Sequence, residues 1–468
     1  MSREGAIARV ADYFDGGGFF ADLARRVAIR TESQEPERKP ELYRYLCEEM
    51  TPCLTALGFE CAIYDNPMAR GGPFLVARRF EDDALPTMMS YGHGDVVRGY
   101  DAQWRAGAGP WELTKEGARW YGRGTADNKG QHTINIAAMA AVLKERGSLG
   151  FNSVILIETS EENGSPGLRE FCAAHKDLFA ADVFIASDGP RLAPERATLF
   201  MGARGVFNFD LTVELRAGGH HSGNWGGLLA NPGIILAHAI ASLTTPTGEI
   251  LVPEWRPPPI PNSVRRAIAG LEFDGGANAP EIDPAWGEPG LTQAEKVFAW
   301  NTFEVLAFKT GNPDNPVNAI PPRATAHCHI RYVVPGDPAT FAPALRHYLD
   351  ARGFQMVEIA PAPDTMAATR LDPDHPWARW ATASLGTTMG RAPAVLPNLG
   401  GSLPNDVFSQ LLALPTVWVP HSYGGCSQHA PDEHILESTS REALQIMAGL
   451  FWDLGAPGTP ARVPSQGG

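Results

Sequence analysis

Short apolar runs and longer helical spacings alternate along the first part of the chain. Helical spacing covers residues 18–30 and 39–57, while Phe74-Leu-Val-Ala-Arg-Arg-Phe80 and Pro86-Thr-Met-Met-Ser-Tyr91 read as strands. An Ala-rich helical run extends from Gly130 to Lys144. Ser153-Val-Ile-Leu-Ile-Glu158 and Ala181-Asp-Val-Phe-Ile-Ala-Ser187 are apolar with little interruption. Such runs suit strands covered on both faces, because a strand with one wet face must alternate. Strands separated by helices predict an α/β fold with a mixed, mostly parallel sheet and helices on both faces.

The pattern changes near residue 206. Val206-Phe-Asn-Phe-Asp-Leu-Thr-Val-Glu-Leu215 and Ala324-Thr-Ala-His-Cys-His-Ile-Arg-Tyr-Val333 alternate with period two, as half-solvated strands do. Helices are expected at 232–243 and 337–352, with a further helical stretch around 292–301 and a strand at 355–360. Together these form a β-α-β-β-α-β-like unit. Core-strand signals return at Ala394-Val-Leu-Pro397 and Pro415-Thr-Val-Trp-Val419. The expected organisation is one α/β domain built from residues 1–205 and 365–468, interrupted by a smaller α+β, ferredoxin-like domain over 206–364. The tail from Gly455 is rich in Pro, Gly and Ser and is expected to be loose.

Length and composition fit this division. The 468 residues exceed what one hydrophobic core normally serves, and 44% hydrophobic with 20% charged residues is the balance of a globular protein. A net charge of -14 argues against non-specific nucleic-acid binding. No apolar run reaches transmembrane length, and the first ten residues carry charges where a signal peptide needs an apolar core. Six scattered cysteines form no Cys-x-x-Cys pair, which suits buried thiols in a reducing compartment. A cytoplasmic protein without a membrane partner is expected.

Chemistry concentrates in five patches, each at the end of an expected strand or loop. They are Tyr91-Gly-His-Gly-Asp95, Gly122-Arg-Gly-Thr-Ala-Asp-Asn-Lys-Gly130, Glu158-Thr-Ser-Glu-Glu-Asn-Gly-Ser165, Ala186-Ser-Asp-Gly189 and Gln428-His-Ala-Pro-Asp-Glu433. Each alone has an ordinary explanation: a strand-end turn, a helix N-cap, an acidic loop. Together they offer the oxygen and imidazole donors of a two-metal site. His93 can bind a metal while Asp95, two residues on, holds the second imidazole nitrogen. Asp127, among glycines, can bridge two ions. Glu161 and Glu162 are adjacent and point apart, so one can bind metal while the other acts as a base. Asp188 ends its strand. In the last patch His429 competes with His421 and His434.

Three further features lie outside these patches. The Gly218-Gly-His-His-Ser-Gly-Asn-Trp-Gly-Gly227 loop exposes His220 or His221, either of which could stabilise an oxyanion. Arg331, on an alternating strand, could clamp a carboxylate in bidentate fashion. The Gly400-Gly-Ser402 loop could receive the same group.

The combined set resembles the cocatalytic di-zinc peptidase family of carnosinase, aminoacylase and carboxypeptidase G, from about residue 85 to 435. The resemblance implies that His93 and Asp188 bind one metal, Glu162 and His429 the other, and Asp127 both. It also implies a cis peptide between Asp127 and Asn128, with Asp95 behind His93. Glu161 would be the general base and acid, acting on a water that bridges the metals. His221 would reach the partner subunit's active site, making the inserted domain a dimerisation and lid element of a homodimer. Arg331, Gly401 and Ser402 would hold the substrate's free carboxylate. The resemblance leans toward the carnosinase-like dipeptidase branch, so the implied reaction is hydrolysis of a dipeptide's amide bond. An N-acyl-amino-acid amidohydrolase or other C–N hydrolase is the alternative. Two divalent ions are implied, zinc first, with manganese or cobalt compatible with the same donors. One departure from the family pattern is Arg98, where proline is common. It is expected to place a charge near the cleft.

Overall fold

The computed structural model describes residues 1–272, 280–363 and 366–460. The expected domain boundary after residue 364 and the end of the tail, 461–468, lie outside the described residues.

The apolar runs sort themselves by side. In the strand Asn152–Glu158, Val154 and Leu156 enter one core, while Ile155 and Ile157 enter another. The same split separates Phe74 and Val76 from Leu75 and Ala77 on strand Phe74–Arg79. Successive side chains point to opposite faces, so a continuous apolar run fills two cores. Helices Lys129–Arg146 and Glu437–Leu454 cover one face, and Leu168–Ala174 lies on the other.

Eight strands make this sheet, in the order Glu60–Tyr64, Phe74–Arg79, Asn152–Glu158, Thr87–His93, Val183–Ala186, Thr416–Trp418, Thr198–Phe200 and Ala394–Leu396. Thr87–His93 is parallel to Asn152–Glu158 and to Val183–Ala186, which is parallel to Thr416–Trp418. Phe74–Arg79 pairs antiparallel with Glu60–Tyr64 on one side and with Asn152–Glu158 on the other.

A helix not foreseen from the sequence, Arg3–Asp15, begins the chain. Ser2 caps it, its Oγ accepting the Gly5 N–H at 3.0 Å. Ala6, Val10 and Phe14 join the core beneath Glu437–Leu454, and Arg3 pairs with Asp453 at 2.8 Å. Its apolar stripe is short and interrupted by charge, which hid it in the sequence pattern.

The second sheet has the order Thr302–Thr310, Arg323–Tyr332, Gly205–Glu214, Glu358–Pro361, with every neighbour antiparallel. With helices Pro232–Ala241 and Pro338–Asp350 it forms the expected β-α-β-β-α-β arrangement. Phe207, Phe209, Leu211 and Val213 pack inward with Leu236 and Leu345. Arg331 therefore lies on the opposite, polar face. Residues between these elements behave differently: Ile260, Val264, Ile268, Ala294 and Phe298 pack with Phe184 and Trp418 of the larger sheet. A segment numbered inside the smaller unit thus contributes to the larger core.

Candidate metal centre

Strand order decides which loops meet. Asn152–Glu158, Thr87–His93, Val183–Ala186 and Thr416–Trp418 are adjacent and parallel, so their carboxyl ends converge. Open α/β sheets present ligand sites at such ends. His93 ends its strand. Glu161 and Glu162 form a tight turn just beyond theirs, Asp188 follows Ala186, and His429 sits in the loop after Trp418.

Asp127 enters from the loop before helix Lys129–Arg146. This loop is pinned by Glu433, whose carboxylate accepts the N–H groups of Gly124, Ala126 and Asp127 at 3.0, 2.9 and 3.1 Å. Arg123 Nη1 completes the set at 2.7 Å, and both charged side chains are buried. A buried charge is tolerated when it is both paired and hydrogen-bonded. The Asp127–Asn128 peptide is cis.

Asp127 lies between two groups of donors. Its Oδ1 is 2.8 Å from His93 Nε2, and its Oδ2 is 3.0 Å from His429 Nε2. Asp188 Oδ2 lies 3.6 Å from the same His93 nitrogen, and Glu162 Oε2 is 3.1 Å from His429 Nε2. The candidate ligand atoms of His93, Asp127 and Asp188 lie within 4.8 Å of one another, as do those of Asp127, Glu162 and His429. Behind them, His93 Nδ1 faces the Asp95 carbonyl oxygen at 3.1 Å, leaving Nε2 toward the carboxylates. The Asp95 carboxylate accepts the N–H groups of Glu161 and Glu162 at 3.2 and 3.1 Å and the Ser33 hydroxyl at 2.6 Å. Asp95 thereby ties the His93 strand end to the Glu161–Glu162 turn.

The electrostatics call for added positive charge. Burial and the neighbouring Asp127 push Asp188 up to about 6 and Glu162 up to about 7. Glu161 is driven well above the carboxylate range by burial, reinforced by Glu162, Asp188 and Asp127 and opposed by His93. Hydrogen bonds to Asp127 and Glu162 raise His429 to about 11. Asp188 Oδ2 is buried and has no hydrogen-bond partner. Buried carboxylates around two imidazoles, with one oxygen left unmatched, form a donor set that fits two divalent cations.

The remaining candidates divide. Glu161 lines the same cleft of about 530 Å³ as Asp127, Asp188, His429, Gly401 and Ser402. Arg331 Nη1 donates to Ser402 Oγ at 2.7 Å. His421 is engaged elsewhere, with Ser187 at 3.0 Å, and His434 with Tyr423 at 2.6 Å. Among the three competing histidines, His429 is the one grouped with Asp127. His221 is exposed, on a two-residue ladder with Ala319, and is not part of the cleft wall. Arg98 pairs its guanidinium with Glu35 at 2.5 Å and Gln34 at 3.2 Å and is not among the residues lining the cleft.

The sequence profile of peptidase family M20/M25/M40 matches residues 89–453. The chain belongs to this family. The matched span contains all five ligand-bearing patches and both strands that flank the smaller sheet's centre. The chain is similar to the cysteinylglycine-S-conjugate dipeptidase of Corynebacterium striatum, with 28% identity across 84% of this chain and 85% of the relative. It is also similar to the Beta-Ala-His dipeptidase of Mus musculus, with 25% identity across 99% of both. In fold, the M20 chain resembles human carnosine dipeptidase 1 (TM-score 0.75, 22% identity, covering 97% of this chain and 100% of that one). The metallo-carboxypeptidase of Sulfolobus solfataricus is similar in the same way (TM-score 0.79, 24% identity, 93% and 99%).

Two residues of the M20 site escaped the sequence reading. Gln428 donates its side-chain amide to Asp127 Oδ2. It was visible as the first residue of its patch, but nothing local distinguishes a glutamine that holds a ligand from one facing water. Arg204 lines the cleft. Its one signal was its place immediately before a strand of the inserted unit.

Proposed function

We propose that the protein is a metal-dependent hydrolase that cleaves the amide bond of dipeptides. The observation that carries this reading is the pair of donor groups sharing Asp127, with Glu161 beside them in one cleft. The dipeptidases among its relatives support the substrate class. His93, Asp188 and Asp127 would hold one ion, and Glu162, His429 and Asp127 the other. Zinc is the first choice, and the mixed oxygen and imidazole donors also suit manganese or cobalt. The ions would supply Lewis-acid polarisation of the scissile carbonyl and activation of water.

The chain's own groups then have distinct tasks. Glu161 takes the proton of the attacking water as the C–O bond forms. It returns that proton to the amine nitrogen as the C–N bond breaks. A carboxylate in the cleft beside the candidate ligands can accept a proton and then release it. Asp95 keeps the Glu161 backbone and the His93 ring in place. Arg331 and Ser402 orient the substrate's carboxylate. The unit over 206–364 acts as lid and dimerisation domain. Among the described residues its outer strand Thr302–Thr310 has one unpaired edge, and Val305, Leu306 and Phe308 on that strand are exposed, which favours pairing with a second copy. In that homodimer His221 donates a hydrogen bond to the oxyanion in the other subunit's site. The reading includes a cytoplasmic location, in keeping with six unpaired thiols. Among the described residues no helix is long and apolar enough to cross a membrane.

A panel of free-amine dipeptides and N-acyl amino acids, assayed after loading with zinc or manganese, tests the assignment. Dipeptides are expected to turn over faster. A preference for N-acyl amino acids would move the protein to the amidohydrolases, and no turnover of either would refute the proposal.

The shared site has its own test. His221→Ala should damage catalysis with little loss of metal. Mixing it with Glu161→Ala should restore activity, because one site of each heterodimer regains both groups. No recovery, with subunit exchange verified, would remove His221 from the partner's site.

A further inference from the structure

Two guanidinium groups flank Ser402, and among the described residues neither is bonded to a carboxylate. Arg204 stands just before strand Gly205–Glu214, and Arg331 lies on the neighbouring strand, opposite Val206 in the ladder. Arg204 Nε donates to the Gly400 carbonyl at 2.7 Å. Ser402 Oγ donates to the Arg204 carbonyl at 2.6 Å and accepts from Arg331 Nη1 at 2.7 Å. These contacts hold both arginines against the Gly400–Ser402 loop, and Arg204 and that loop line the cleft that holds Asp127 and Glu161.

What the two side chains lack is more informative. Among the described residues, neither forms an ion pair with a carboxylate. Arg204 Nη1 is buried and has no hydrogen-bond partner. Burial, followed by the nearby charge of Arg331, lowers Arg204 to about 10, with Glu304 opposing. Arg204 therefore stays charged at neutral pH, close to a like charge. His329, two residues before Arg331 on the same strand face, is lowered by burial and by both arginines, so it adds no further positive charge. A buried donor without an acceptor and closely placed like charges are both unfavourable. An anion held between the two guanidiniums relieves both at once, and a carboxylate matches their planar geometry.

We propose that Arg204 is a second substrate-binding arginine, forming with Arg331 a two-guanidinium clamp for the substrate's free carboxylate. The inference rests on the reading of this cleft as a dipeptide site. It makes Arg204 a determinant of preference for free acids over amides. A simple strut supporting the Gly400–Ser402 loop would instead affect all substrates alike.

The test compares wild type, Arg204→Met and Arg204→Lys, each metal-loaded, on a dipeptide and its C-terminal amide. Wild type is expected to favour the acid. Arg204→Met should raise KM for the acid by about tenfold or more, with kcat and the amide's KM little changed, as removal of a ground-state contact predicts. Arg204→Lys, which keeps charge and a donor, should recover part of the loss. Equal damage to acid and amide, or an unchanged KM for the acid in both variants, would overturn the clamp. Calorimetric binding of N-acetylglycine against its amide gives a second reading that needs no turnover. Acid-selective binding lost in Arg204→Met would uphold the clamp even if no dipeptide were hydrolysed, in which case the dipeptidase reading alone falls. Dipeptide hydrolysis without acid preference would sink the clamp and keep the dipeptidase.

Discussion

Glu161→Ala is expected to keep its metal and lose turnover by about 10²–10⁴-fold, the range of a positioned general base. That corresponds to about 3–5 kcal/mol of transition-state stabilisation. The expectation follows from a division of labour between adjacent residues. Glu162 reaches His429 and belongs to a ligand group, whereas Glu161 lines the cleft and belongs to neither. Removing Glu161 leaves each group of candidate ligands whole. Metal content by elemental analysis should match wild type while kcat falls. Turnover near the wild-type rate would refute the assignment. Loss of metal in parallel with activity would make Glu161 a ligand instead.

Asp127→Ala should act in the opposite order, losing metal first and activity as a consequence. Asp127 is the one residue common to both ligand groups, each of its oxygens facing a different histidine. Its loss leaves His93 with Asp188 on one side and Glu162 with His429 on the other. A single Ala substitution should therefore weaken both ions, whereas Asp188→Ala or His429→Ala should weaken one more than the other. Metal stoichiometry is expected to fall below two per chain, and turnover by about three decades, since bound metals supply several kcal/mol of charge stabilisation. Two tightly held ions and normal turnover in Asp127→Ala would end the shared-ligand assignment.

Much of the scaffold was legible in local pattern. Continuous apolar runs such as 153–158 are dictated by two covered faces, and the alternation of 206–215 and 324–333 by one. Those periods are properties of neighbouring residues and survive without tertiary knowledge. The helix Arg3–Asp15 was missed because its stripe of Ala6, Val10 and Phe14 is too sparse to stand out. The packing of Ile260, Val264, Ile268, Ala294 and Phe298 with the larger sheet left no local trace at all, since an apolar residue does not specify which core receives it.

The site shows the same boundary. His93, Asp127, Glu161, Glu162 and Asp188 could be named because each follows a recognisable strand or glycine-rich turn. His429 could not be separated from His421 and His434 by spacing. Only the fold engages His421 with Ser187 and His434 with Tyr423, leaving His429 beside Asp127. Arg98, expected to bring a charge near the cleft, is paired with Glu35, a contact no local pattern announced. Arg204 and Gln428 carry no distinguishing local signal.

The sequence by itself determined the main core strands and the two alternating strands of the smaller sheet, and that the chain carries carboxylates and imidazoles from which a metal site can be built. Hydrophobic periodicity and side-chain chemistry are local, so they can be read one residue after another. The tertiary structure alone decided which of those groups meet. It set strand 87–93 between 152–158 and 183–186, gathered distant loops at one sheet edge, and brought Arg204 to Ser402. Those distances depend on strand order and core packing, which arise from the whole chain at once and leave no mark on any single stretch of it.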